Sequence, residues 1–316
     1  MPDARGLVTI GEPLIVFATP GTSRWRHSAV AELRTAGAES NVAITVARLG
    51  GAAVWAGRVG SGGLAERVIA DIRAEGVDVV PIDDEGPPSL LVKERRRADA
   101  IHVDYYRKNG PGSRLNPGDL AAVPISDARV LHLTGITPAL SASARQTVFD
   151  AIDIARDARV TVSFDANYRS KLWPPHEAAP VLRDLASRAD ILFVGDDEWG
   201  LLAPGAADEL SAAVELVARG AEEVVLKRGA DGAMVLRSGD VFEQPARPTN
   251  VVDPVGAGDA FAGGYLAELL RGEAVAERLR VAALCGSFAV ETGGDWEGNP
   301  SRADLRRDEQ SSGTHR

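Results

Sequence analysis

The sequence predicts an α/β fold: a three-layer sandwich with a mostly parallel central sheet, plus a small β-sheet lid. Two observations carry this. Short apolar runs alternate with amphipathic helical stretches through most of the chain, and the apolar runs are continuous rather than alternating. Such strands need both faces covered, which helices between parallel strands provide. A third concerns the site. Polar residues gather just after three consecutive strand candidates, where open parallel sheets bind ligands.

Strand candidates lie at 7–10, 52–57, 77–82, 129–133, 161–165, 191–194, 222–227 and 233–237. Helical patterns fall between them, as in NVAITVARLG, LAERVIADIRAEG, ARQTVFDAIDIARDA and ELSAAVELVARG. Residues 12–36 and 88–107 carry strand-like segments without crossover helices, and "IHVDYYR" alternates as a half-exposed strand would. These are expected to form the lid. The charged run K93-E-R-R-R97 reads as a solvated turn between lid strands. No repeat or low-complexity linker divides the chain, so residues 1–305 are expected to be one domain, with 306–316 a polar, disordered tail.

Composition narrows the function. A net charge of −10 argues against nucleic acid or an anionic membrane surface as a partner. An anionic ligand must therefore be caught by local positive groups. The single Cys285 fits a reducing compartment, and no apolar run reaches the ~18 residues of a membrane span. The start MPDARGLVTIGEP lacks a signal-peptide core, so a cytoplasmic protein is expected. His27, His102, His132, His176 and His315 show no metal-ligand spacing.

The stretch NVVDPVGAGDAFAGGYLAELL (250–270) places a carboxylate inside a glycine-rich turn that leads into a helix near Ala257. Helix N-termini collect anions through free N–H groups and the helix dipole. In the structural reading, Asp259 is a dipole-favoured first-turn residue. In the functional reading, N–H groups from Gly256 through Ala257 and Gly258 to Asp259 stabilise charge on a transferred phosphoryl group. Asp259 then takes the proton of the attacking hydroxyl.

D253-P-V-G-A-G-D259-A-F-A-G-G resembles the C-terminal signature of the ribokinase-like (PfkB) carbohydrate kinases, and A36-G-A-E-S-N41-V-A with L49-G-G51 resembles that family's sugar-binding segment. The resemblance runs to about residue 305. Within the family, "GEPLIVFATP", "DYYR", "DANYR" and "GGDWEG" are most similar to kinases of 2-keto-3-deoxygluconate. The resemblance implies a ribokinase-like αβα sandwich, ATP and Mg²⁺ as cofactors, and phosphorylation of the sugar 6-hydroxyl. It further implies Asp259 as catalytic base, Gly37 and Asn41 lining the sugar site, and Tyr105 and Arg107 reaching in from the lid. Asn167 and Arg169 would lie between sugar and nucleotide phosphates, Lys227, Gly229 and Gly232 beside ATP, and Asp295 against sugar hydroxyls. Two segments depart from the family pattern: V59-G-S-G-G-L-A65 and G195-D-D-E198.

The arginines suit a sugar acid, because guanidinium binds carboxylate through a planar fork of donors. A neutral-sugar kinase such as a fructokinase is the alternative within the family. "VGSGGLA" also fits a dinucleotide fingerprint, which leaves a nicotinamide-dependent oxidoreductase as an alternative of another class. A lid with open edges suggests a homo-oligomer formed through it.

Overall fold

The computed structural model describes residues 6–97 and 100–313. Thirteen strands are found among them: β1 Leu7–Ile10, β2 Leu14–Ala18, β3 Glu32–Ala36, β4 Ala53–Arg58, β5 Asp78–Ile82, β6 Leu90–Arg97, β7 Ala100–Tyr106, β8 Val130–Thr134, β9 Thr161–Asp165, β10 Ile191–Gly195, β11 Glu223–Lys227, β12 Ala233–Arg237 and β13 Asp240–Gln244. The helices are α1 Ala38–Arg48, α2 Gly63–Ala74, α3 Thr137–Leu140, α4 Ala142–Asp157, α5 Pro175–Ser187, α6 Trp199–Leu202, α7 Glu209–Ala218, α8 Ala257–Arg271, α9 Val275–Val290 and α10 Arg302–Gly313.

Nine strands form the main sheet in the order β13-β12-β11-β10-β9-β8-β1-β4-β5. All its pairings from β5 across to β11 are parallel, and β12 and β13 close that end antiparallel. The chain builds outward from β1 to β4 and β5, then returns to the other side of β1 as β8. The sheet thus has a topological switch point between β1 and β8, where doubly wound folds open a ligand crevice. One face packs against α4, α5 and α7 around Leu131, Phe164, Leu182 and Leu192. The other packs against α1, α2, α8 and α9 around Trp55, Phe193, Tyr265 and Leu266. Both faces are dry, which explains the unbroken apolar strands.

The second sheet has four strands in the order β3-β2-β6-β7. Its β2 and β6 run parallel, and β3 and β7 are its antiparallel edges. No helix among the described residues is long and apolar enough to cross a membrane.

The structure corrects two expectations. K93-E-R-R-R97 is not a solvated turn: it belongs to β6, and Lys93 and Glu94 are buried. The polar end of the chain is helical as far as Gly313 rather than frayed after Leu305. Ser301 starts α10 with a reciprocal cap: its N–H donates to Asp304 Oδ2 at 2.9 Å, and Asp304 N–H donates to Ser301 Oγ at 3.3 Å. Leu305 is buried, while Arg302 pairs with buried Glu268 at 2.5 Å and Glu309 pairs with Arg280 at 2.9 Å. Residues 314–316, including His315, lie outside the described residues.

α8 is buried almost all round because it lies between the sheet, α1 and α9. Ala262, Leu266, Leu269 and Leu270 are therefore only part of its apolar surface. A Cβ at Gly263 would sit 2.5 Å from Thr45 Cβ and 3.0 Å from Val42 O, so the α1–α8 approach depends on glycine there. Gly263→Val should force the helices apart and cost roughly 1–3 kcal/mol of stability, read as a lower urea midpoint. An unchanged midpoint would mean the two helices can separate freely.

Candidate active site

The strand ends β9, β10 and β11 are neighbours in the sheet, and they bring Asp165, Glu198 and Lys227 together. Lys227 Nζ donates to Asp165 Oδ2 at 2.6 Å. Burial works against the ammonium, but Asp165, Glu198 and Asp259 outweigh it and hold its pKa above the ordinary value. Glu198 is buried and accepts the N–H groups of Gly195 and Tyr168, each at 2.7 Å. Burial raises its pKa, with Lys227 opposing. Asp165 pairs with Lys227, leaving Arg169 exposed, with its Nη1 on Tyr168 O at 3.3 Å. Arg169 makes no ion pair with a carboxylate among the described residues.

Asp259 stands in the first turn of α8 and is 9% exposed. Asn41 Nδ2, from the start of α1, donates to its Oδ2 at 2.8 Å, and Asn167 Nδ2 approaches its Oδ1 at 3.4 Å. Asn167 adopts a left-handed φ of 37°, stabilised by its N–H on Asp165 Oδ1 at 3.2 Å. Asn41 Oδ1 is buried and has no hydrogen-bond partner among the described residues, an acceptor left unsatisfied beside Asp259. Burial pushes Asp259 up to about 6; the Asn41 bond and the charge of Arg169 oppose this, Asp165 adds to it and Lys227 opposes.

The turn before α8 has no room for a side chain at Gly256. Gly256, at φ 80°, would place a Cβ 1.8 Å from Asp295 O. A Cβ at Gly258 would face Lys227 Nζ at 3.6 Å, so the ammonium lies beside the turn. Asp295 itself is half-buried, and desolvation pushes it up to about 7 against the charge of Lys93, with Asp259 adding to the rise. Gly229 opens a short turn after β11, and Gly232, at φ 95°, would meet Gln244 O at 2.1 Å if it carried a Cβ.

At the small sheet, Arg107 binds buried Glu12, with Nε on Oε2 at 2.7 Å and Nη2 on the same oxygen. Its Nη1 has no protein partner among the described residues. The guanidinium lies over Tyr105, 5.5 Å from the ring centroid. Ser89 Oγ donates to the other Glu12 oxygen at 2.6 Å, and a Cβ on Gly37 would lie 2.8 Å from Glu12 O. Glu12 thus ties the lid strands to the start of α1.

Glu39 was not singled out in the sequence. It is buried at the start of α1, accepts the hydroxyls of Thr134 at 2.7 Å and Thr137 at 2.8 Å, and is pushed up to about 7 by burial. A cleft of about 250 Å³ opens between the small sheet and the turn, lined by Arg34, Lys93, Arg95, Asp253 and Asp295.

The atypical 59–65 loop flanks a broader groove of about 1020 Å³ at the far edge of the sheet. Size does not make it the site, because its arginines are already paired. Arg58 Nε and Nη2 each donate to Asp119 at 2.8 Å, and Arg114 pairs with Asp84. His132 is a packing residue: Nδ1 meets Ser163 Oγ at 2.9 Å, and burial pushes it down to about 4. No cluster of three metal-ligating side chains occurs among the described residues.

A buried carboxylate, a glycine turn at a helix start and an adjoining ammonium meet at the open end of a doubly wound sheet. The model of the pfkB family of carbohydrate kinases matches residues 9–302. The chain is 36% identical over 297 residues to a 2-dehydro-3-deoxygalactonokinase of Haloferax volcanii, covering 92% of each. It is 34% identical over 303 residues to the 2-dehydro-3-deoxygluconokinase of Bacillus subtilis, covering 94% of this chain and 93% of that one. An Escherichia coli protein solved in complex with ATP and Mg²⁺ shares the fold, with a TM-score of 0.89 at 24% identity over 97% of this chain and 99% of that one. The protein belongs to the pfkB family of carbohydrate kinases: it is a phosphotransferase acting on a sugar hydroxyl. The oxidoreductase alternative falls with that.

A base must be ionised to accept a proton. If Asp259 is such a base, its rise to about 6 means that kcat/KM should be full above that pH and fall about tenfold per unit below it. A limb near the ordinary aspartate value would mean another group controls turnover. Asp259→Asn, which keeps the shape and cannot take the proton, should abolish the limb and lower kcat by ~10²–10⁴.

Proposed function

We propose that this kinase transfers the γ-phosphoryl group of ATP to the 6-hydroxyl of 2-keto-3-deoxygluconate or its C4 epimer, in the cytoplasm. Asp259 is the base, oriented by Asn41 and Asn167. The N–H groups of Gly256, Ala257, Gly258 and Asp259 take up charge developing on the phosphoryl group, and the Lys227 ammonium stands beside them. Gly37, Asn41, Tyr105, Arg107 and Asp295 form the sugar side; Lys227, Gly229 and Gly232 form the nucleotide side, with Asn167 and Arg169 between the two.

Mg²⁺ fits this arrangement as a passenger on ATP. Asp165 and Glu198 give the strand ends oxygen donors, but no side-chain cage for an ion is preformed among the described residues. When bound, the ion offsets triphosphate charge at a site that is itself rich in carboxylates.

The observation that carries the sugar-acid reading is Arg169. In a protein of net charge −10, its guanidinium influences Asp259 yet has no carboxylate of its own among the described residues. Arg107 adds an open Nη1 edge held in place by Glu12. The two relatives named above act, by their names, on 2-keto-3-deoxy sugar acids.

Turnover of the wild-type enzyme with 2-keto-3-deoxygluconate, its C4 epimer, fructose and ribose tests this directly. Arg107→Ala should cost roughly 2–5 kcal/mol of transition-state binding for the sugar acid and much less for fructose. The ratio matters because Glu12 would be left buried and unpaired, which lowers stability for both substrates alike. A wild-type preference for a neutral sugar would replace this reading with a fructokinase-type one. We further expect a homodimer through the small sheet, where Val30 and Tyr106 are 66% and 64% exposed. Sedimentation equilibrium should return twice the chain mass, and Tyr106→Glu should halve it.

A further inference from the structure

The charged strand β6 reaches into the body at the point where the glycine turn begins. Lys93 Nζ donates to Asp253 Oδ2 at 2.5 Å, and the two side chains are 9% and 2% exposed. Arg95 lies on the same face two residues on. Its Nη1 donates to Val252 O at 2.8 Å, and its Nη2 stands 3.5 Å from the same Asp253 oxygen. The other Asp253 oxygen, Oδ1, accepts the N–H of Val255 at 3.2 Å. That bond forms a local turn immediately before Gly256. From behind, the N–H groups of Val252 and Asp253 donate to Val290 O at 2.7 and 3.1 Å. Gly256 in turn rests against the Asp295 backbone.

A buried ion pair is a poor device for stability, since an apolar pair of similar volume often does as well or better. Its advantage is directional. The ammonium fixes one Asp253 oxygen and so leaves the other aimed at Val255 N–H. We propose that Lys93 is a positioning residue for phosphoryl transfer. Its ammonium holds Asp253, and Asp253 sets the turn that presents the N–H groups of Gly256–Asp259. Because Lys93 belongs to the small sheet and Asp253 to the body, the turn has its working geometry only with that sheet seated. The inference rests on reading Gly256–Asp259 as the phosphoryl cradle.

Lys93→Met keeps the apolar stem and removes the charge; Lys93→Ala also leaves space for a small amine. In Lys93→Met, kcat should fall about 10²-fold, the scale expected when reacting groups are displaced by an ångström, while KM for the sugar changes little. The melting temperature should fall, because Asp253 stays buried with only Arg95 Nη2, at 3.5 Å, left as a cationic partner, so kcat is read at a temperature where the variant is still folded. Lys93→Arg should recover part of the turnover. Adding n-propylammonium or n-butylammonium should raise kcat of Lys93→Ala in a saturable way and leave wild type unaffected; a merely structural lysine gives no such recovery. Near-wild-type kcat in Lys93→Met overturns the proposal. So does a loss of turnover that follows a fall in melting temperature and that neither arginine nor amine restores. The Asp259→Asn variant separates the two readings. If it stays active, Asp259 is not the base and the placing of the reaction at Gly256–Asp259 fails; if it is dead while Lys93→Met is active, only the role of Lys93 fails.

Discussion

As the proposed base, Asp259 must keep a negative charge available where it is 9% exposed, and most of the surrounding arrangement bears on that electrostatic demand. Desolvating a carboxylate costs several kcal/mol unless donors and charges replace water. Two asparagine amides, the positive end of α8 and the Lys227 ammonium supply that replacement, and burial still leaves the group near 6. Each has its own structural requirement. Asn41 reaches Asp259 because α1 and α8 pack closely over Gly263. Asn167 reaches it from a left-handed turn that Asp165 closes. Asp165 and Glu198, at the ends of neighbouring strands, help to hold the Lys227 pKa above its ordinary value against burial. The parallel sheet order is thus a condition of the chemistry as well as of the fold.

Groups that sit next to their own strand end or helix start were legible in the sequence, because one short segment contains both the element and the polar residue. Lys227 at the end of β11, Asn167 after β9 and Asp259 at the start of α8 are of that kind. The layered sheet was legible for a similar reason: strands covered on both faces read as unbroken apolar runs. Contacts across the chain were not legible. Lys93 and Asp253 are 160 residues apart; Glu12 and Arg107, like Glu39 and Thr134, are 95 apart. No local pattern announces such a pair.

Part of what was missed did leave a signal. K93-E-R-R-R97 looks solvated when its charges are counted, yet a strand of period two sends Lys93 and Arg95 to one face and Glu94 and Arg96 to the other. The first pair meets Asp253 and Val252; on the second face Glu94 accepts Trp25 N–H at 3.0 Å and pairs with Arg96 at 2.6 Å. Ser301 and Asp304 had the spacing of a reciprocal helix cap, which outweighs the polarity of residues 306–313. In both cases composition was read where periodicity or capping chemistry held the information.

The cations of the site obey one rule with one exception. Lys227 is matched by Asp165, Lys93 by Asp253 and Arg107 by Glu12, and each of these carboxylates is at most 2% exposed. Pre-pairing fixes a long, flexible side chain before any ligand arrives, so little reorganisation remains for the reaction. It also consumes most of the cation's attraction for an anion. A site built only of such pairs would be well ordered and weakly attractive to a charged substrate, all the more so at a net charge of −10. Arg169 departs from the rule, exposed and without a carboxylate of its own among the described residues, and so retains its full attraction. The paired cations give the cleft its geometry, and Arg169 gives it a local pull on anions that the protein as a whole lacks.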